Sequence, residues 1–146
     1  MIHTGSYDNC KSGRLVSISG DGGKQVGFNG ETYKKLAPKL AFWKEWHDNI
    51  GKISEEENNR FYIVEYYNQV LRYLDINQVL QDLDKAIMLC YEPYWDFCHR
   101  QVAATWIELE SGIVVPEISI DNEGNIVEHQ RPQWIKENYQ KLIYKK

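Results

Sequence analysis

Two cysteines, a histidine, an arginine and a glutamate fall within one short stretch, Cys90-Tyr91-Glu92 followed by Cys98-His99-Arg100. A thiol beside an imidazole suits nucleophilic chemistry, with Cys98 as nucleophile, His99 as base and Glu92 orienting His99 or acting as general acid. A thiol at a helix start, next to Arg and His, is expected to have its thiolate favoured. Neighbouring side chains on a helix diverge by about 100°, so Cys98 and His99 need not touch. Cys90 reads as pocket wall rather than nucleophile. The spacing between the two cysteines is too long for a Cys-X-X-Cys redox motif, and the paired cysteines of common zinc sites are missing. No metal and no cofactor are expected.

These residues need a scaffold. Ala86-Ile87-Met88-Leu89 is a short apolar run with the length of a buried strand, ending at Cys90. Pro93 disfavours helix at Glu92 and predicts a loop. A helix is predicted from Cys98 to Ser111, with Gly112 as its C-terminal cap. Further strands are expected over Met1–Thr4 and Arg14–Ser19, each ending in small or polar residues. Leu36, Leu40, Trp43, His47 and Ile50 recur at helical spacing, and Trp43, Trp46 and His47 lie on a helix that can cover a strand rim. Ser54-Glu55-Glu56-Glu57 is a capping-box pattern opening the longest helix. Pro116 within the β-rich Ile113–Ile120 stretch argues for an edge strand. Pro132 opens a last helix containing Ile135, Tyr139 and Leu142. The pattern predicts one α/β domain over residues 1–146: a small, at least partly parallel sheet flanked by helices in a three-layer-like arrangement.

If the strands are parallel, Thr4-Gly5-Ser6, Ser17-Ile18-Ser19-Gly20 and Cys90-Tyr91-Glu92 end on one rim, where open α/β sheets bind ligands. The glycine-rich loop after the second strand, Gly20-Asp21-Gly22-Gly23-Lys24, can turn its N–H groups toward an anion, with Lys24 beside them. The expected ligand contacts are Thr4, Ser6, Ser19, Gly20, Gly22 and Lys24 from the early strands and loop. From the second half of the chain come Cys90, Tyr91, Trp95 and Arg100. Arg100 would hold phosphate or carboxylate, and Tyr91, Trp95 or Trp43 would stack on a base.

The chain has 146 residues and a net charge of −4, which disfavours nonspecific binding to nucleic acid or anionic membranes. Met1–Gly5 does not read as a secretory signal, and the three cysteines form no disulfide framework. A cytoplasmic protein with reduced thiols is the expectation, its oligomeric state open.

The segments Leu89-Cys90-Tyr91-Glu92, Phe97-Cys98-His99-Arg100, Val102-Ala103 and Trp106 resemble the family named domain of unknown function 488. Ile2-His3-Thr4-Gly5-Ser6, Val16-Ser17-Ile18-Ser19 and Leu36-Ala37-Pro38-Lys39-Leu40 extend the resemblance over roughly residues 1–120. It implies a compact α/β domain of bacteria and their phages with the Cys-His-Arg segment as hallmark, and no established activity. Tyr94-Trp95-Asp96 adds two aromatics to a loop that is often short in that family.

Three functions fit the residues. The first is a pocket for an anionic small molecule, a nucleotide or nucleotide-derived metabolite or signal that is bound, sequestered or cleaved. The second is a thiol or acid–base enzyme using Cys98, His99 and Glu92. The third is a protein-interaction module in which the Cys-His-Arg segment only braces the fold.

Overall fold

The computed structural model describes residues 1–144. Three parallel strands form the centre of the sheet: β1 (His3–Ser6), β2 (Arg14–Ser17) and β4 (Ala86–Cys90). β3 (Glu31–Thr32) pairs parallel with β2 at one edge. On the other side β5 (Glu117–Ile120) joins β1 in parallel, and β6 (Ile126–His129) joins β5 antiparallel, giving the order β3-β2-β4-β1-β5-β6. The described residues form five α-helices: α1 (Leu40–Asp48), α2 (Glu55–Gln69), α3 (Ile76–Asp82), α4 (His99–Ser111) and α5 (Gln133–Ile143). The molecule is an α/β domain with a mostly parallel sheet. No helix among the described residues is long and apolar enough to cross a membrane.

Alternation along β4 divides the core. Ala86 and Met88 face one side and join Phe42, Ile63, Val79, Ile107 and Ile135, one from each helix in turn. Ile87 and Leu89 face the other side and meet Tyr7, Cys10, Ile118 and Ile120. All five helices therefore share one face, and loop residues form the third layer. The chain returns from β1 to the parallel β2 through Tyr7–Gly13, which runs across the sheet where a crossover helix would ordinarily lie. A helix does not fit in so short a connection.

Pro116 does not make β5 an edge. It lies just before the strand, where its missing N–H is not needed, and its carbonyl accepts the Thr4 N–H at 2.9 Å. Gly112 caps α4 at φ 76°, and Ser54 caps α2 by accepting the Glu57 N–H at 3.1 Å. The stripe on α1 is not a core stripe. Leu40 is 74% exposed and Ile50 58%, while Phe42 is the buried residue.

Candidate functional site

β1, β2 and β4 run the same way in register, Ser6 beside Cys90 and Ser17 beside Leu89, so their C-terminal ends share one rim. Above that rim lies a cavity of about 690 Å³, within the range for small-molecule sites. Its floor is Ser19-Gly20 after β2, Cys90 at the end of β4, and Cys98-His99 at the start of α4. Leu40, Trp43, Trp46 and His47 of α1, with Ile50 just past its end, form one wall. The apolar stripe of that helix thus faces a hollow, which is why it repeats at helical spacing yet stays accessible. Trp46 is held by Asn59, which accepts its Nε1–H at 3.0 Å, and it packs edge-on against Tyr62. Phe97 and Tyr91 close the remaining sides.

The central contact joins Cys90 and His99. His99 Nε2 lies 2.7 Å from the Ile18 carbonyl, a group that can only accept, so Nε2 carries the ring proton. The lone pair of Nδ1 then faces Cys90 Sγ at 3.3 Å. The Tyr66 ring meets His99 edge-on, with centroids 5.6 Å apart. Glu92 does not orient His99; its carboxylate lies 3.8 Å from Cys90 Sγ, within reach of the thiol proton. Cys98 is the N-cap of α4, with extended backbone (φ −151°, ψ 148°), so it stands off the helical spiral. The divergence expected of two adjacent helical residues does not apply, and Cys90 Sγ, Cys98 Sγ and a ring nitrogen of His99 all lie within 4.8 Å of one another. Full burial pushes the Cys98 thiol well above its ordinary value, the reverse of the activation expected at a helix start. Cys90 Sγ is the thiol that faces the imidazole at 3.3 Å.

Several expected contacts lie elsewhere. Arg100 is wholly buried and does not line the cavity. Its Nε and Nη2 donate to the two oxygens of Glu117 at 3.1 and 2.8 Å, beneath the sheet rim. It braces α4 against β5. Thr4 is buried and donates to the same carboxylate at 2.6 Å, and Ser6 is buried beside it in β1, off the cavity wall. Trp95 is 63% exposed and does not line the cavity, while its neighbour Tyr94 stacks on His129.

Gly22 and Lys24 also lie off the wall. The glycine loop does form an anion nest, but its own Asp21 occupies it. Asp21 accepts the Gly23 N–H at 2.8 Å, the Gln25 N–H at 3.4 Å, the Ser19 hydroxyl at 3.1 Å and the Tyr91 hydroxyl at 2.6 Å. Burial alone would raise the Asp21 pKa, but these hydrogen bonds outweigh it and hold the carboxyl below its ordinary value. Ser19, Gly20, Cys90 and Tyr91, with Glu92, Cys98 and His99, are the expected site residues that do line the cavity.

Sequence reasoning did not find the Cys90–His99 pairing, the Ile18 carbonyl behind it, or Asp21 as the occupant of the nest. Only the last left a signal: an aspartate flanked by glycines can bond its own backbone two residues on. Scans against protein-family models, curated proteins and solved structures each give no match.

Proposed function

We propose that this chain binds a planar small molecule of the nucleobase or nucleoside class in the cavity, and that the Cys90, Cys98, His99 and Glu92 cluster acts on it there. The observation that carries this reading is the cavity itself, with aromatic walls over a floor of two thiols and an imidazole. Trp43 stacks on His47 at 5.2 Å and is still 39% exposed, leaving its ring available to a flat ligand. The phosphate half of a nucleotide has less support. Arg100 is engaged by Glu117, the glycine nest holds Asp21, and the cavity wall carries the carboxylates of Asp21 and Glu92.

In a thermal-shift series with adenosine, guanosine, uridine, AMP and inorganic phosphate, at least one nucleoside raises the melting temperature and phosphate alone does not. Base–aromatic stacking contributes about 1–3 kcal/mol, so Trp43→Ala weakens binding roughly 5- to 150-fold. Stabilisation by phosphate equal to that by AMP, or no shift with any nucleoside, would overturn the reading.

A thiol enzyme is the second reading, favoured by the 3.3 Å contact between Cys90 Sγ and His99 Nδ1. Here Cys90, and not Cys98, is the nucleophile. Its proton passes to Nδ1 as sulfur adds to a C=N or C=O carbon of the bound molecule, whose π electrons move to the heteroatom; that atom then takes up the proton from Nδ1, and Glu92 stands beside the sulfur.

A further inference from the structure

The three side chains on the cavity floor have the donor types and the arrangement of a metal site. Cys90 Sγ, Cys98 Sγ and a ring nitrogen of His99 lie within 4.8 Å of one another, with Cys90 Sγ and His99 Nδ1 at 3.3 Å. Tetrahedral zinc, with Zn–S about 2.3 Å and Zn–N about 2.0–2.1 Å, places such donors roughly 3.5–3.8 Å apart. The donors are thus within about 1 Å of the separations that a tetrahedral ion needs.

The donors come from rigid elements, the last residue of β4 and the first turn of α4 with its N-cap. The second shell is also in place. A metal-ligating histidine donates its other ring N–H to a carbonyl or carboxylate, which fixes its tautomer, and His99 Nε2 does this to the Ile18 carbonyl at 2.7 Å. All three residues are buried, which disfavours any net charge at the site. A divalent ion with two thiolates and a neutral imidazole carries none.

We propose that Cys90, Cys98 and His99 bind one Zn²⁺ ion, with the fourth coordination position open to the cavity. Two thiolates and an imidazole select zinc over the harder magnesium and calcium ions. Binding releases the two thiol protons to solvent and leaves Nδ1 as the neutral donor. Because all three ligands line the cavity, whatever takes the fourth position comes from the cavity side, as in catalytic rather than closed structural sites. Glu92, 3.8 Å from Cys90 Sγ, then stands next to that position, able to exchange a proton with a coordinated water. The inference goes beyond the planar-ligand reading and does not depend on it.

The test uses the full chain, reduced and stripped of metal by a chelator, titrated with Co²⁺ and then with Zn²⁺. Saturation at one Co²⁺ per chain is expected, with thiolate-to-cobalt charge-transfer absorption and the strong visible bands of a tetrahedral site. Zn²⁺ should abolish both sets of bands. Cys90→Ser and Cys98→Ser each lose the tetrahedral spectrum, while Cys10→Ser, on the opposite face of the sheet, retains it. Absence of charge-transfer absorption in the wild-type chain would overturn the proposal even if a variant failed to fold. Persistence of the spectrum in the Cys90→Ser/Cys98→Ser double variant would do the same. Nucleoside binding with no metal uptake would leave the planar-ligand reading standing and remove the zinc.

Discussion

Arg100→Met should lower folding stability by about 3–5 kcal/mol, the cost of breaking a buried ion pair from one side. The bidentate contact leaves Glu117 almost completely enclosed, with Thr4 as its other hydrogen-bond donor. Removing the guanidinium strands that carboxylate without water to solvate it. For a chain of this size the loss corresponds to a fall in melting temperature of roughly 10 °C or more. The double variant Arg100→Met/Glu117→Leu should recover most of the loss, because replacing both charges with apolar groups of similar size is often neutral. Denaturant unfolding of the three proteins measures both effects. An Arg100→Met chain of unchanged stability that had lost nucleoside binding would return Arg100 to the ligand site and contradict the geometry.

His99→Ala should have the largest effect on the site itself. The imidazole is a donor to the Ile18 carbonyl, the acceptor facing Cys90, and an edge-on partner of Tyr66. Leaving the carbonyl buried without its donor costs about 1–3 kcal/mol. Loss of the aromatic contact adds about 0.5–1.5 kcal/mol. Cys90→Ala removes a small side chain and leaves His99 Nδ1 without its thiol partner, the loss of a weak hydrogen bond only, while the Ile18 carbonyl keeps its donor. It should therefore unfold close to wild type while losing cobalt binding to the same degree. Equal destabilisation by the two substitutions in denaturant titration would mean that the Ile18 hydrogen bond is not holding the ring.

β4 was legible because five apolar residues in a row leave no exposed face, and α2 and α4 were legible from Ser54 and Gly112 at their ends. The shared rim followed from small and polar residues closing each strand. Arg100 was misplaced because its partner, Glu117, is distant in sequence and follows an apolar, Pro-containing run that reads as strand filler. Pro116 misled in the same region, since a proline one residue before a strand looks like one inside it. The Cys90–Cys98–His99 cluster was hidden by an assumption about helix geometry. Cys98 is the cap and not a helical residue, and its extended backbone lets it converge with the residue that follows. The apolar face of α1 was visible, but periodicity does not distinguish a face turned to the core from one turned to a cavity.

Thiol mapping tests most directly whether this cluster is the floor of a ligand cavity. Metal-stripped chain is treated with a small alkylating reagent, with and without saturating adenosine or whichever nucleoside stabilises the protein most, and the modified sites are located by mass spectrometry. Cys10, on the other face of the sheet and with its thiol pushed up to about 11 by burial, is the internal control. Slower labelling of Cys90 and Cys98 in the presence of ligand, with Cys10 unchanged, is the predicted result. Ligand that stabilises the protein yet leaves Cys90 and Cys98 labelling at the same rate would place the binding site elsewhere and contradict the account.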